Sequence, residues 1–427
     1  MVPRRIDLPG KPQRLVYSPI LRCLIVSYDV PGMEDLESPF MGTVRSYIEF
    51  VDPDSQNPVA LQDRSSMNDG SQPWRPMSSR GESITCILDW MFERNGRMYH
   101  LVAIGTSIPD LHPRGSTKGR IILLCPRRDP LDPSQVNCVT KFTRHLDSPV
   151  RALAAYGDSI LVGAGNLVIP ISSKDATTRW NRDEAAKIPS AVVSISVLKP
   201  FILVMTARHS WMVYKVVRSV SDGNEISGLH LFSWAEVDHH GLSQFLCPGN
   251  LPVVYMGYRG GRVSVSRIEQ KHQRRGNIPL QDSPPEAHLP ASVLRFVPGA
   301  SQGTFMYGFT VHGTVYRFFL PTEQQMPLLQ LLLNICYKDE SICPSLSKRH
   351  RRGNLLNLSN RHVDGDILVR LARRSPDFLT ELIASLGSGP ENNPVEESYR
   401  EFALNAVGDS SVEAVIGWLR KLLDVVL

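Results

Sequence analysis

Four places in the chain carry residue types from which chemistry is made. Asp238-His239-His240 is the sort of run with which metal-dependent phosphoesterases hold ions. That chemistry needs several further carboxylates at strand ends, and no such set assembles around it. Cys336, Cys343, His350 and His362 are residue types that zinc accepts. Their spacing fits no common finger, and Cys336 falls inside an apolar run. "YRGGRVS", Tyr258 to Ser264, has adjacent glycines. These suit a phosphate cradle, or a hairpin turn between two strands. "KRHRR", Lys348 to Arg352, is the densest charge. It reads as a solvated linker, a nuclear-import signal or a phosphate contact made by Lys348, Arg349, Arg351 and Arg352. It lacks an aromatic for base stacking. The chain has no G-x-S-x-G elbow, Walker loop or H-E-x-x-H.

The elements that must position these residues have two textures. Up to about Leu320, runs of Val, Ile and aromatic residues alternate with Gly, Pro, Asn, Asp and Ser, the pattern of short strands and turns. "VRALAAYGDSILVGAGNLVIPIS" and "VVSISVLKPFILVMTARHSWMVYKVV" begin a loose repeat of about 44 to 50 residues, the spacing of four-stranded propeller blades. The stretch 52–83 lacks periodicity and predicts a long loop. After Pro321 the texture is helical. "TEQQMPLLQLLLNICY" is one helix, and "SPDFLTELIASLG" has Ser375 to cap, Pro376 at the first position and Gly387 to end it. In "SSVEAVIGWLRKLLDVVL", Val412, Val415, Ile416, Leu419, Leu422, Leu423 and Val426 share a face. There Ser410 with Glu413 predicts a capping box.

With 427 residues the chain exceeds a single ordinary core, although a propeller can run past 300. No apolar run approaches the ~20 residues that span a bilayer. The opening "MVPRRIDLPGKPQ" has no apolar region behind its arginines, so no signal peptide is expected. Seven cysteines without a CxxC pair favour a reducing compartment. The net charge is +5, yet residues 348–374 alone hold eight Lys and Arg against two Asp. The rest of the chain is close to neutral.

A family resemblance rests on an ordered series of stretches. Val102, Gly105 and Thr106, a polar loop, then Gly119, Arg120 and Ile121 resemble the "VGT…GRI" that joins two strands of one blade. The family comprises the large subunit of the cleavage and polyadenylation specificity factor, the large damaged-DNA-binding protein and their splicing-factor relative. "LPGKPQRLVYSP" resembles the start of the same propeller. "GFTVHGTVYRFFLP" resembles its "T-x-D-G-x-I" strand, with Gly313 in place and His312 where Asp is usual. "RHVDGDILVRLARRSPDFLTELIASLG" resembles its closing helical segment through Asp364, Gly365 and Asp366.

The resemblance implies a mainly β fold. Residues 1–321 would form a β-propeller of six to seven blades, with room for one incomplete. A small α-helical domain at 322–427 would follow, with a basic linker at 345–362. Family members carry further propellers ahead of this region, so the chain would be a shortened relative or a fragment. The resemblance also implies a non-enzymatic nuclear scaffold in pre-mRNA cleavage and polyadenylation. The alternative is an adaptor of a cullin-type ubiquitin ligase in DNA repair. A propeller hydrolase is the alternative of another class; it would need His, Asp or Glu at the axis ends of several blades. Expected partners are other subunits of a nuclear complex, with direct RNA or DNA contact left open. No cofactor, metal, membrane or small-molecule substrate is expected. Gly105, Thr106, Gly119, Arg120, Gly313, Asp364, Gly365 and Asp366 are expected to serve structure.

Overall fold

The computed structural model describes residues 6–31, 44–63, 73–76, 81–94, 96–110, 116–132, 135–172, 185–218, 226–235, 241–247, 252–268, 286–298, 305–344, 355–356, 363–386 and 393–423. The protein is mainly β, with several small sheets and a few C-terminal helices. It divides into two compact units. The first is Met1–Val253 with Arg267–Arg274, and the second is Val254–Ser266 with Arg275–Leu427. The expected boundary at 321–322 lies inside the second unit, where strand gives way to helix.

The first unit is a series of sheets in chain order. Strands β1 (Lys11–Ser18), β2 (Cys23–Pro31) and β3 (Val44–Val51) form an antiparallel meander. The second sheet runs β5 (Ser83–Arg94), β6 (Arg97–Ser107), β7 (Gly119–Arg128), β8 (Gln135–Leu146). Strand β4 (Ala60–Asp63) is added parallel to β8. The third sheet is β9 (Val150–Tyr156), β10 (Ser159–Ala164), β11 (Leu167–Ser172) and the short β12 (Ala186–Lys187). The fourth is β13 (Val192–Leu198), β14 (Phe201–Thr206), β15 (Trp211–Arg218) and β16 (Ile226–Trp234).

Successive side chains of a strand point to opposite faces, and here both faces are covered. On β6, Val102 and Ile104 pack with Cys23, Ile25, Ile48 and Phe50 of the first sheet. Their neighbour Ala103 packs with Val150, Ile160 and Val162 of the third. On β10 the pattern repeats, for Leu161 joins Val192, Ile202 and Val204 of the fourth sheet. This explains the unbroken apolar runs "HLVAIG" and "SILVGA", since a strand between two sheets has no solvent face. Trp90 of β5 adds a crosslink, donating its indole N–H to the Gly157 carbonyl at 3.2 Å.

The stretch 52–83 is not one long loop. Besides β4, it places Trp74 in a bridge to Ile48 and buries Val59, Leu61 and Trp74 in the core between the first two sheets. The apolar contribution of three isolated residues outweighs the polar composition around them. β17 (Gly241–Cys247) also belongs to the first unit. Its Gln244 donates to Ser194 and Ser196 of β13, at 2.7 and 3.3 Å.

In the second unit, apart from the end residues Val253 and Arg267, β18 (Val253–Tyr258), β19 (Arg262–Arg267) and β20 (Glu286–His288) lie side by side. β21 (Val293–Pro298), β22 (Phe305–Thr310) and β23 (Val315–Phe319) form a three-stranded meander. Among the described residues five helices follow: α1 (Gln325–Cys336), α2 (Gly365–Ala372), α3 (Pro376–Ser385), α4 (Pro394–Val407) and α5 (Val412–Leu423). Their core takes Leu328, Leu332, Leu368, Leu379, Tyr399, Ile416 and Leu419, and Phe319 of β23 packs against it. The Arg317 guanidinium of β23 reaches the Leu423 carbonyl at the end of α5. Among the described residues, no helix is long and apolar enough to cross a membrane.

Candidate functional site

The Gly-Thr…Gly-Arg residues come together as a structural junction. Ile108 and Lys118 exchange backbone hydrogen bonds at 2.8 and 2.9 Å, closing the base of the loop between β6 and β7. A Cβ on Gly105 would stand 2.5 Å from both Cys86 Sγ and Val150 Cγ1. One on Gly119 would stand 2.5 Å from the Thr106 carbonyl oxygen and 2.9 Å from Pro149 Cα. Both glycines are therefore set by close approach. Thr106, fully buried, uses its hydroxyl on Arg120, accepting from its N–H at 3.2 Å and donating to its carbonyl at 3.3 Å. The Arg120 guanidinium turns inward to Glu82, with Nε on Oε1 at 2.6 Å and Nη2 on Oε2 at 2.5 Å. The side chains are 7% and 2% exposed. A two-point pair at that depth satisfies both charges and presents neither to a ligand.

A cluster the sequence did not announce lies where the first two sheets meet. His100 Nε2 is 2.5 Å from Asp89 Oδ1 and 3.4 Å from Ser18 Oγ, while its Nδ1 is buried without a hydrogen-bond partner. Serine, histidine and aspartate are the residues of a hydrolytic triad, but the geometry is different. A triad uses one ring nitrogen for serine and the other for aspartate. Here both contacts fall on Nε2. Ser18 is fully buried and its hydroxyl also accepts from the Leu21 N–H. Nearby, burial pushes the Cys23 thiol up to about 12, so it stays protonated and unreactive. Separations of 82 and 11 residues, with no motif spacing, hide the cluster from sequence reading.

The remaining candidates fall to structural duties or outside the described residues. Gly260 and Gly261 turn β18 into β19 with φ of 81° and 84°, a strand connection of the kind glycine permits. Gly313 has φ 78° in the β22–β23 turn. Asp364 caps α2 by accepting from the Asp366 N–H at 3.0 Å, with Gly365 as the first helical residue and Asp366 in the first turn. Cys336 and Cys343 are buried thiols outside any disulfide, and burial pushes both up. His350 and His362 lie outside the described residues, as do Asp238, His239 and His240 and the basic Lys348, Arg349, Arg351 and Arg352. Among the described residues, no group of three His, Cys, Asp or Glu is placed to hold a metal.

One basic cluster lies within the described helices. α2 is followed by Arg373, its C-cap, and Arg374, both exposed, with Arg370 in its last turn. Arg420 of α5 reaches this end from 46 residues away. It donates Nε to the Ala372 carbonyl at 2.8 Å and Nη2 to the Arg374 carbonyl at 3.1 Å. Lys421, exposed, is the next residue of α5. Arg370 donates to the Ile342 carbonyl at 2.9 Å, and the Arg374 guanidinium lies over the Phe378 ring, 5.4 Å from its centroid. Compared with known proteins, the chain matches no family model and no curated sequence.

Proposed function

We propose that the chain is a non-enzymatic scaffold subunit of a nuclear complex acting on nucleic acid, with pre-mRNA cleavage and polyadenylation as its process. In this reading the sheets are blades of a β-propeller of six or seven blades, followed by a small helical domain. The observation that supports it is the stacking in the first unit, where antiparallel meanders follow one another in chain order, each pressed face to face on the next. Radial repetition of such sheets is how propellers cover both faces of small meanders. The polar residues best placed for chemistry, Glu82, Arg120, Thr106 and Asp364, are spent on backbone and on each other. A chain so arranged offers surfaces to partners.

The test is capture of the tagged full chain from nuclear extract, with co-purified proteins identified by mass spectrometry. Recovery of polyadenylation subunits is the expected outcome. Recovery of a cullin would move the assignment to a ubiquitin-ligase adaptor. A chain that stays cytoplasmic and captures neither would overturn the reading.

A further inference from the structure

We infer that the corner where α2, α3 and α5 meet binds the phosphate backbone of single-stranded RNA. The inference rests on the nuclear RNA-processing reading for the choice of RNA, and on geometry for the choice of site. Sequence separates the charges involved. Arg370, Arg373 and Arg374 belong to one basic stretch, whereas Arg420 and Lys421 stand in the apolar-patterned last helix. The fold joins them, because the Arg420 guanidinium is fastened to the carbonyls of Ala372 and Arg374. Arg370, Arg373, Arg374 and Arg420 therefore belong to one corner, and exposed Lys421 is the next residue of α5. None of them is in an ion pair with another described residue.

Four carboxylates belong to the same surroundings: Asp364 caps α2 and, like Arg370, acts on Cys343, and Asp366 stands one turn before Arg370. Asp377 is in the first turn of α3, and at Asp339 burial raises the carboxyl but bonds from Ser341 and Ile342, with Arg374, together hold it below its usual range. With Lys421 included, the five cations outnumber these four carboxylates by one, and Arg373, Arg374 and Lys421 are exposed. Cations so arranged bind a polyanion by releasing its counterions. The Arg374–Phe378 pair favours a single strand over a duplex. A guanidinium plane backed by an aromatic ring is a surface on which an unstacked base can lie. Ser375, which begins α3, has no side-chain capping bond, so its hydroxyl is free of that duty.

The test uses the full chain and fluorescent oligo(U) and oligo(A) RNA, with binding followed by anisotropy over a salt series. The variant R373A/R374A/K421A removes three exposed side chains and leaves Arg420 in place. It should weaken both RNAs alike, by about tenfold or more near 0.1 M salt. The salt slope should become shallower by about 2, at roughly 0.7 per charge lost on a single strand. R373K/R374K should keep most of the affinity. K421A alone should lose about a third of the triple variant's slope change, which guards against a folding defect in the triple variant. Unchanged binding in the triple variant, or no binding by the parent chain, would overturn the inference. So would equal loss in the Lys and Ala variants, which would mark a structural role. So would capture by vesicles of phosphatidylserine and phosphatidylcholine without RNA binding. K348A/R349A/R351A/R352A reports the neighbouring segment separately. If polyadenylation subunits are recovered while the triple variant binds RNA as before, the corner fails and the scaffold reading stands. If no nuclear subunit is recovered but the slope still falls, the corner stands without it.

Discussion

At the scale of single residues, the Gly-Thr…Gly-Arg stretch answers why a polar loop is followed by glycine and arginine. Gly119 lets the returning strand pass beneath the Thr106 carbonyl, and Arg120 carries a buried charge to Glu82. Glu82→Ala leaves that charge unpaired and should cost about 3–5 kcal/mol in urea denaturation. Glu82→Met with Arg120→Met should recover most of the loss. Gly105→Ala should cost about 1–3 kcal/mol, because the new methyl meets Val150 and Cys86. Gly228→Ala, with no atom within 4 Å of the added carbon, should stay within about 0.5 kcal/mol. Sequence singled out Arg120 through its motif. It could not supply Glu82, because that partner stands 38 residues earlier with nothing local to mark it. The same holds for His100 and Ser18. Contacts across a sheet seam leave no periodicity behind them.

At the scale of elements, strands and helices were largely legible and their ends less so. β10 and β14 follow from apolar runs, and the α5 face buries Val415, Ile416, Leu419 and Leu423 as its spacing predicts. The capping residues differ in detail. Ser375 occupies the cap position of α3 without a side-chain bond. At α5 it is Ser411, and not Ser410, whose hydroxyl accepts from the Ala414 N–H at 3.4 Å. One residue of slippage follows from adjacent serines with equal capping ability. Asn393 is the stronger cap, accepting from the N–H groups of Val395 and Glu396 at 3.1 and 3.3 Å. Asn393→Ala should lower the stability of the second unit by about 1 kcal/mol, whereas Ser375→Ala should barely shift the thermal midpoint. β4 and Trp74 were not legible at all. Four residues without alternation read as loop until a neighbouring strand supplies their hydrogen bonds.

At the scale of the molecule, burial of weak acids sets a pH limit. Burial pushes Cys23 from 9.0, and Tyr214 from 10.0, to about 12. Above its ordinary value each group releases its proton in the unfolded chain first, so the unfolded state then binds fewer protons and stability falls as pH rises. The contribution is complete below about 9 and fades toward about 12. Urea midpoints measured across that interval should decline, and Cys23→Ala should make the decline shallower. Another consequence lies in the way one sheet is fitted to the next. Val150, which opens β9, sits against Gly105 of the sheet before it, and Val192, which opens β13, sits against Gly163 in the same manner. The partners are 45 and 29 residues apart, and in each case the receiving glycine precedes the valine. A ribosome would therefore deliver each socket before the knob that fills it, so the first unit can assemble behind the growing chain, one meander at a time, without waiting for its C-terminus.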